Sequence, residues 1–286
     1  MKAHWLGIVA VMTMACGRAD VPRHEAPVEL RLAVAAPAPL ADAIVEKALP
    51  ALEGAPIEHL DLGGGEDAWL ALPVGATDRR PIVVGVHGAG DRPDWACTEW
   101  QAVTAGWAIV VCPRSRSTHP ADKSTYVWGS AEQIAVSADR AVAAVRARYA
   151  TWTLDAPLVY AGWSQGGTLA SEVIKSRPGV YDRAVLVEVG HTALDADSVV
   201  AGLLAGGVKR AVVSCESPKC RAFAQTFDRA ASRRKLPFKI TDSGFRAHMF
   251  DEPVYRALAP RFGWMFEDDA RFVGLAAAID ARWSTD

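Results

Sequence analysis

Leu158-Val159-Tyr160-Ala161-Gly162-Trp163-Ser164-Gln165-Gly166-Gly167-Thr168-Leu169-Ala170-Ser171 decides how this chain is read. An apolar run rich in β-formers ends at Gly162, and a small-residue segment with helical potential begins just after Ser164. The serine therefore falls on a sharp strand-to-helix turn. The Gly-x-Ser-x-Gly spacing has a physical reason at such a junction. A serine at the top of a strand takes a strained backbone conformation, and glycines two residues before and after it let strand and helix approach closely. The bare pattern is a weak signal in a glycine-rich chain, so its weight comes from the elements around it.

Outward from that turn, the rhythm from Pro81 onward is strand, loop, helix, which predicts parallel strands joined by crossover helices. Residues 82–87 form a continuous apolar run of the kind expected for a strand buried on both faces, and it ends in His87-Gly88-Ala89-Gly90. A helix over 94–105 and a strand over 107–112 follow. The polar segment 113–129 carries Arg114, Arg116, His119, Lys123, Tyr126 and Trp128. Loops after parallel strands gather at one face, so this segment is expected at the rim of a site there, with its cations mainly a solvated surface. Residues 130–149 form the clearest helix, with Ile134, Ala138, Ala141, Val142 and Val145 at helical spacing, Ser130 as N-cap, and Arg146 and Arg148 in the last turn. After the turn at Ser164 come strands over 183–189, 208–215 and 237–241, helices over 193–204 and 219–233, and terminal helices over 252–258 and 272–283. Before Pro81, residues 57–62 and 69–74 read as an antiparallel hairpin around Gly63-Gly64-Gly65.

On His87-Gly88-Ala89-Gly90, the turn at Ser164 with its extra Gly167, and the late His248, the chain resembles the α/β-hydrolase superfamily. Within it, the likeness is to secreted esterases of the polyhydroxybutyrate-depolymerase or feruloyl-esterase type, and it covers residues 80–260. The resemblance implies an α/β-hydrolase fold: a mostly parallel central sheet of about eight strands with an antiparallel start and helices on both faces. It also implies a nucleophile elbow at Ser164, a base at His248 after the final strand, and an oxyanion hole from the backbone N–H groups of Ala89 and Gln165. His191, which arrives one strand earlier, is the rival base, and His87 is assigned to support of its loop. The acid belongs just after the strand before the last, which nominates Glu216, with Asp195 and Asp242 also open. These types suit the chemistry: a serine hydroxyl needs an imidazole to take its proton, and the imidazole needs a carboxylate to orient it and stabilise its charge. The implied substrate is a small or polymeric carboxylic ester. A catalytically silent binding module, or a peptidase or thioesterase using the same residues, are the other readings.

The 286 residues, half of them hydrophobic, suffice for one large α/β domain, placed at 57–286. A net charge of -2 and no basic run give no footprint for nucleic acid. No metal or cofactor is expected: there is no His-Glu-x-x-His pattern, no zinc-spaced cysteine pair and no dinucleotide fingerprint. Residues 1–15 read as an export signal, too short to span a bilayer. Thr13-Met14-Ala15-Cys16 resembles a bacterial lipoprotein signal, which implies a lipid on Cys16 and membrane anchoring; an ordinary cleaved signal is the alternative. The Ala/Pro-rich stretch 16–56 reads as a tether. With Cys16 set aside, the remaining four of five cysteines allow two bridges, most simply Cys97 with Cys112 and Cys215 with Cys220. The chain is therefore expected to be exported.

Overall fold

The computed structural model describes residues 48–244 and 247–283. The expected export signal, Cys16 and the expected tether as far as residue 47 lie outside the described residues. In chain order the elements are strands β1 (Ile57–Gly63), β2 (Glu66–Ala71) and β3 (Ile82–Val86), helix α1 (Pro93–Val103), strands β4 (Ile109–Pro113), β5 (Ser117–Thr118) and β6 (Tyr126–Val127), and helix α2 (Ala131–Arg148). Then come β7 (Leu158–Trp163), α3 (Gln165–Thr168), α4 (Ala170–Ser176), β8 (Tyr181–Val187), α5 (Ala196–Ala205), β9 (Arg210–Ser214), α6 (Pro218–Arg234), β10 (Phe238–Thr241), α7 (Glu252–Trp264) and α8 (Leu275–Trp283).

Eight strands form one sheet in the order β1-β2-β4-β3-β7-β8-β9-β10. β1 pairs with β2 and β2 with β4 antiparallel, and every other neighbouring pair is parallel. The inner strands β3, β4, β7, β8 and β9 are buried on both sides, so their alternate residues feed two cores. Val84, Leu158, Tyr160, Ala184 and Leu186 meet residues of α2, α4, α5 and α6 such as Ile134, Val173, Leu203 and Phe227. Val83, Val159, Ala161, Val185 and Val187 meet those of α1, α7 and α8, such as Trp100, Phe262 and Ile279. That two-sided burial is why the strands read as unbroken apolar runs.

After β3 the chain runs outward to β4, then returns to place β7 on the other side of β3. β3 and β7 thus flank the point where strand order reverses, the place where open parallel sheets bind ligands beyond their carboxyl ends. Both His87-Gly88-Ala89-Gly90 and Ser164 sit there.

Several details differ from the sequence reading. The segment 113–129 contains the small β5–β6 ladder, and α7 runs on to Trp264 through Pro260. Residues 48–56, expected as the end of the tether, are held against the domain: Leu52 is 2% exposed and exchanges hydrogen bonds with Gly75 and Ala76, and Trp152 Nε1 donates to Pro50 O at 2.9 Å. The two disulfides are Cys97–Cys112, tying α1 to β4, and Cys215–Cys220, closing the turn between β9 and α6. No described helix is long and apolar enough to cross a membrane.

Candidate active site

β7 delivers Ser164 with φ 50° and ψ -112°, a conformation that costs a non-glycine residue about 1–3 kcal/mol and persists only where its surroundings enforce it. Here they do. Ser164 N–H donates to Val187 O at 2.8 Å, and Ser164 O accepts from Thr168 N at 2.8 Å and Thr168 Oγ1 at 2.9 Å. Close approach of strand and helix requires the glycines: a Cβ on Gly162 would lie 2.7 Å from the Gly166 carbonyl, and one on Gly166 2.5 Å from Val86 O.

His248, in the segment between β10 and α7, places Nε2 2.9 Å from Ser164 Oγ. Its ring stacks on Trp163 at 5.3 Å between centroids, so the residue preceding the serine also braces the imidazole. The other ring nitrogen, Nδ1, lies 3.0 Å from Oε2 of Glu188. Glu188 directly follows β8, adopts φ 53° and is fully buried. Burial pushes its carboxyl up, but hydrogen bonds from His248, Ser217 and the Glu216 and Ser217 amides outweigh that and hold it at about 2. It is therefore a carboxylate over the whole physiological range. Oε1 takes the two amides, Ser217 N–H at 2.9 Å and Glu216 N–H in a short contact, which leaves Oε2 for the histidines.

The glycine loop after β3 packs directly on the serine, since a Cβ on Gly88 would come within 2.6 Å of the Trp163 ring and 3.1 Å of Ser164 Cβ. Gly88 N–H donates to Asp91 Oδ2 at 3.4 Å and Gly90 N–H to Tyr126 O at 2.9 Å. Among the described residues the Ala89 amide has no acceptor, and neither has that of Gln165, the first residue of α3. The loop is held from behind by His87. Burial drops this imidazole to about 4 against the opposing hydrogen bond to Gly88 O, so it is neutral, donates from Nδ1 to that carbonyl at 2.7 Å, and stacks on Trp128 at 4.6 Å. Trp128 donates from Nε1 to His87 O at 3.0 Å, while its own backbone N–H and C=O are both held by the Gln165 side chain at 2.8 and 2.9 Å.

No family model matches the sequence, and neither does any curated protein. Solved structures do match. A Klebsiella pneumoniae protein assigned as a dienelactone hydrolase aligns over 74% of this chain and 98% of its own, with a TM-score of 0.56 at 13% identity. The fluorophosphonate-binding serine hydrolase F of Staphylococcus aureus aligns over 74% and 98%, with a TM-score of 0.52 at 12% identity. A ferulic acid esterase aligns over 73% and 96%, with a TM-score of 0.52 at 13% identity.

The chain has the α/β-hydrolase fold.

On this α/β-hydrolase frame the acid nominated from sequence is corrected. The carboxylate facing His248 is Glu188, one strand earlier than Glu216. Glu216 is fully buried, but its side chain accepts from Ser214 Oγ at 3.2 Å, Ser243 N at 2.7 Å and Ser243 Oγ at 2.5 Å, and only its amide reaches the site. Asp195 caps α5, accepting from Ser198 N at 2.9 Å and Ser198 Oγ at 2.6 Å. Asp242 pairs with Arg221 and accepts from Gly244 N at 2.7 Å. His191 does not reach the serine; its Nε2 lies 3.1 Å from Glu188 Oε2 and 3.0 Å from Ser217 Oγ. In the 113–129 segment Trp128 is buried at 3% exposure, so it supports the site from below and is not on its rim. Arg114 and Arg116 pair with Asp67 and Glu66 of the opening hairpin.

Proposed function

We propose that this chain is a serine hydrolase that cleaves carboxylic esters through an acyl-enzyme on Ser164. One observation carries the reading: His248 bridges Ser164 Oγ at 2.9 Å and Glu188 Oε2 at 3.0 Å through its two ring nitrogens. As Ser164 Oγ attacks the ester carbonyl, its proton passes to Nε2. Glu188 holds Nδ1–H and stabilises the imidazolium so formed. The tetrahedral oxyanion is held by the amides of Ala89 and Gln165. Its collapse expels the alcohol, protonated by His248, and the same imidazole then draws a proton from the water that releases the acid. The three aligned structures, all bearing hydrolase or esterase names, support this reading at the level of fold.

A fluorophosphonate probe should label the wild type and fail to label Ser164→Ala, which should also lose hydrolysis of short nitrophenyl esters. Folded wild type that neither labels nor hydrolyses any ester, thioester or anilide in a panel would leave the binding-module reading. We also propose export, which the two disulfides support because such bonds persist in oxidising compartments. A lipid on Cys16 would be seen as palmitate incorporation lost in Cys16→Ser.

A further inference from the structure

Glu188 Oε2 is approached by two imidazoles at once. His248 Nδ1 stands 3.0 Å from it and His191 Nε2 3.1 Å, and the two rings meet edge to face at 4.0 Å between centroids. Only His248 is used by the proposed hydrolysis. One donor atom from each of Glu188, His191 and His248 lies within 4.8 Å of the other two. Two imidazole nitrogens and a carboxylate oxygen are a donor set that suits zinc, whose bonds of about 2.0–2.2 Å put tetrahedral ligands about 3.3 Å apart. The two spacings from the carboxylate oxygen, 3.0 and 3.1 Å, are near that value, and the two imidazole nitrogens lie within 4.8 Å of each other. The carboxylate is fully buried with its Oε1 fixed by the Glu216 and Ser217 amides, while the His191 and His248 side chains are 30% and 35% exposed. A preformed ligand thus sits at the back, and the side open to solvent admits a hydrated ion.

We propose that Glu188, His191 and His248 form a binding site for Zn2+, and that filling it switches off Ser164. The inhibitory half rests on the hydrolase reading above; the binding half does not. Coordination takes the lone pair of His248 Nδ1, so the proton of the neutral ring moves to Nε2. Nε2 then points an N–H at Ser164 Oγ and has no lone pair to receive the serine proton. His191 undergoes the reverse exchange, its proton moving from Nε2 to Nδ1. Both rings remain neutral, and no proton need leave the protein. A water completes the tetrahedron, and Ser217 Oγ, 3.0 Å from His191 Nε2, is placed to hydrogen-bond it. Mg2+ and Ca2+, which prefer sets of oxygen ligands, should not compete.

The test separates binding from catalysis. Calorimetric titration of ZnCl2 into the Ser164→Ala chain should show one site, with Co2+ giving the visible absorption of a tetrahedral ion. Ser164→Ala/His191→Ala should bind zinc at least tenfold more weakly, with Ser164→Ala/His191→Gln, its melting point checked, as the milder replacement. In the Ser164-containing chain, zinc should suppress ester hydrolysis, EDTA should restore it, and His191→Ala should raise the half-inhibiting zinc concentration at least tenfold relative to its own zinc-free rate. Zinc affinity unchanged by loss of His191, or Mg2+ binding as well as Zn2+, would overturn the site. Half-inhibiting zinc unchanged in His191→Ala would overturn the switch. One-site, His191-dependent zinc binding in a chain that hydrolyses no substrate would support the site and sink the hydrolase reading instead.

Discussion

At the scale of single residues, the two buried glutamates after β8 and β9 are the sharpest contrast, because both are fully buried but only one faces the imidazole. Glu188→Gln should lower kcat/KM for a nitrophenyl ester by about a thousandfold or more, since the amide can present an N–H to Nδ1 and favour the wrong tautomer. Glu216→Gln, which leaves its backbone amide on Glu188, should stay within about tenfold, and equal losses in both would refute the assignment of the acid. The sequence did carry a sign of Glu188: in Leu186-Val187-Glu188-Val189 a carboxylate interrupts an apolar run, and a charge there must be paired or hydrogen-bonded if it is buried. Its backbone φ of 53°, which turns the side chain off the strand toward His248, has no signature in residue type. Asp91 offers a second test. Burial, only partly offset by the Arg92 and Gly88 amides, raises its carboxyl to about 6, and it is 4% exposed. Its folded-state value exceeds the unfolded one, so it favours folding below about pH 4, and that contribution disappears as pH rises through about 6. Asp91→Asn should therefore raise the melting temperature by a few degrees at pH 8 and by little or nothing at pH 4. Equal shifts at both would show that the charge is not the cause.

At the scale of elements, what positions Ser164 and the glycine loop beside it is contact between backbones. Gly166 lets α3 lie against the end of β3, and a methyl there would meet Val86 O at 2.5 Å and His87 O at 2.9 Å, neither the tip of a flexible side chain. Gly166→Ala should destabilise the protein by about 1–3 kcal/mol, measured by denaturant unfolding, and depress kcat by prising the glycine loop away from Ser164. The disulfides divide by what they fix. Cys215–Cys220 brackets the turn whose Glu216 and Ser217 amides hold Glu188, whereas Cys97–Cys112 ties α1 to the sheet. Replacing either pair by serine should cost about 2–3 kcal/mol of stability in the chain-entropy picture. Only Cys215→Ser/Cys220→Ser should also lower kcat at a temperature where both variants are folded. The pairing was legible from sequence proximity, and so were the elbow and the helix capped by Ser130, because each rests on local spacing. The 113–129 segment was not: its fold depends on partners far along the chain, with Arg114 on Asp67 and the Trp128 backbone on the Gln165 side chain.

For the whole molecule, the parallel strands and the antiparallel start followed from strand-helix rhythm and a glycine turn. The placement of β4 outside β3, which creates the switch point under Ser164, is a matter of long-range pairing that no local pattern records. The same limit explains the domain's edge. Pro50 and Pro56 make residues 48–56 read as linker, yet Leu52 fills the core at 2% exposure, and Leu49 N–H and Leu52 N–H donate to Thr77 O at 2.8 Å and Ala76 O at 2.9 Å. Burying one leucine is worth about 2–3 kcal/mol, and at this chain length each kcal/mol moves the melting point by about 2–4 °C. A chain starting at residue 57 should thus melt about 5–10 °C lower than one starting at residue 48, because it loses Leu52, its backbone partners on residues 75–77 and the acceptor of Trp152 Nε1. The thermal melts of the two chains check it, and equal stability would show that residues 48–56 are linker after all.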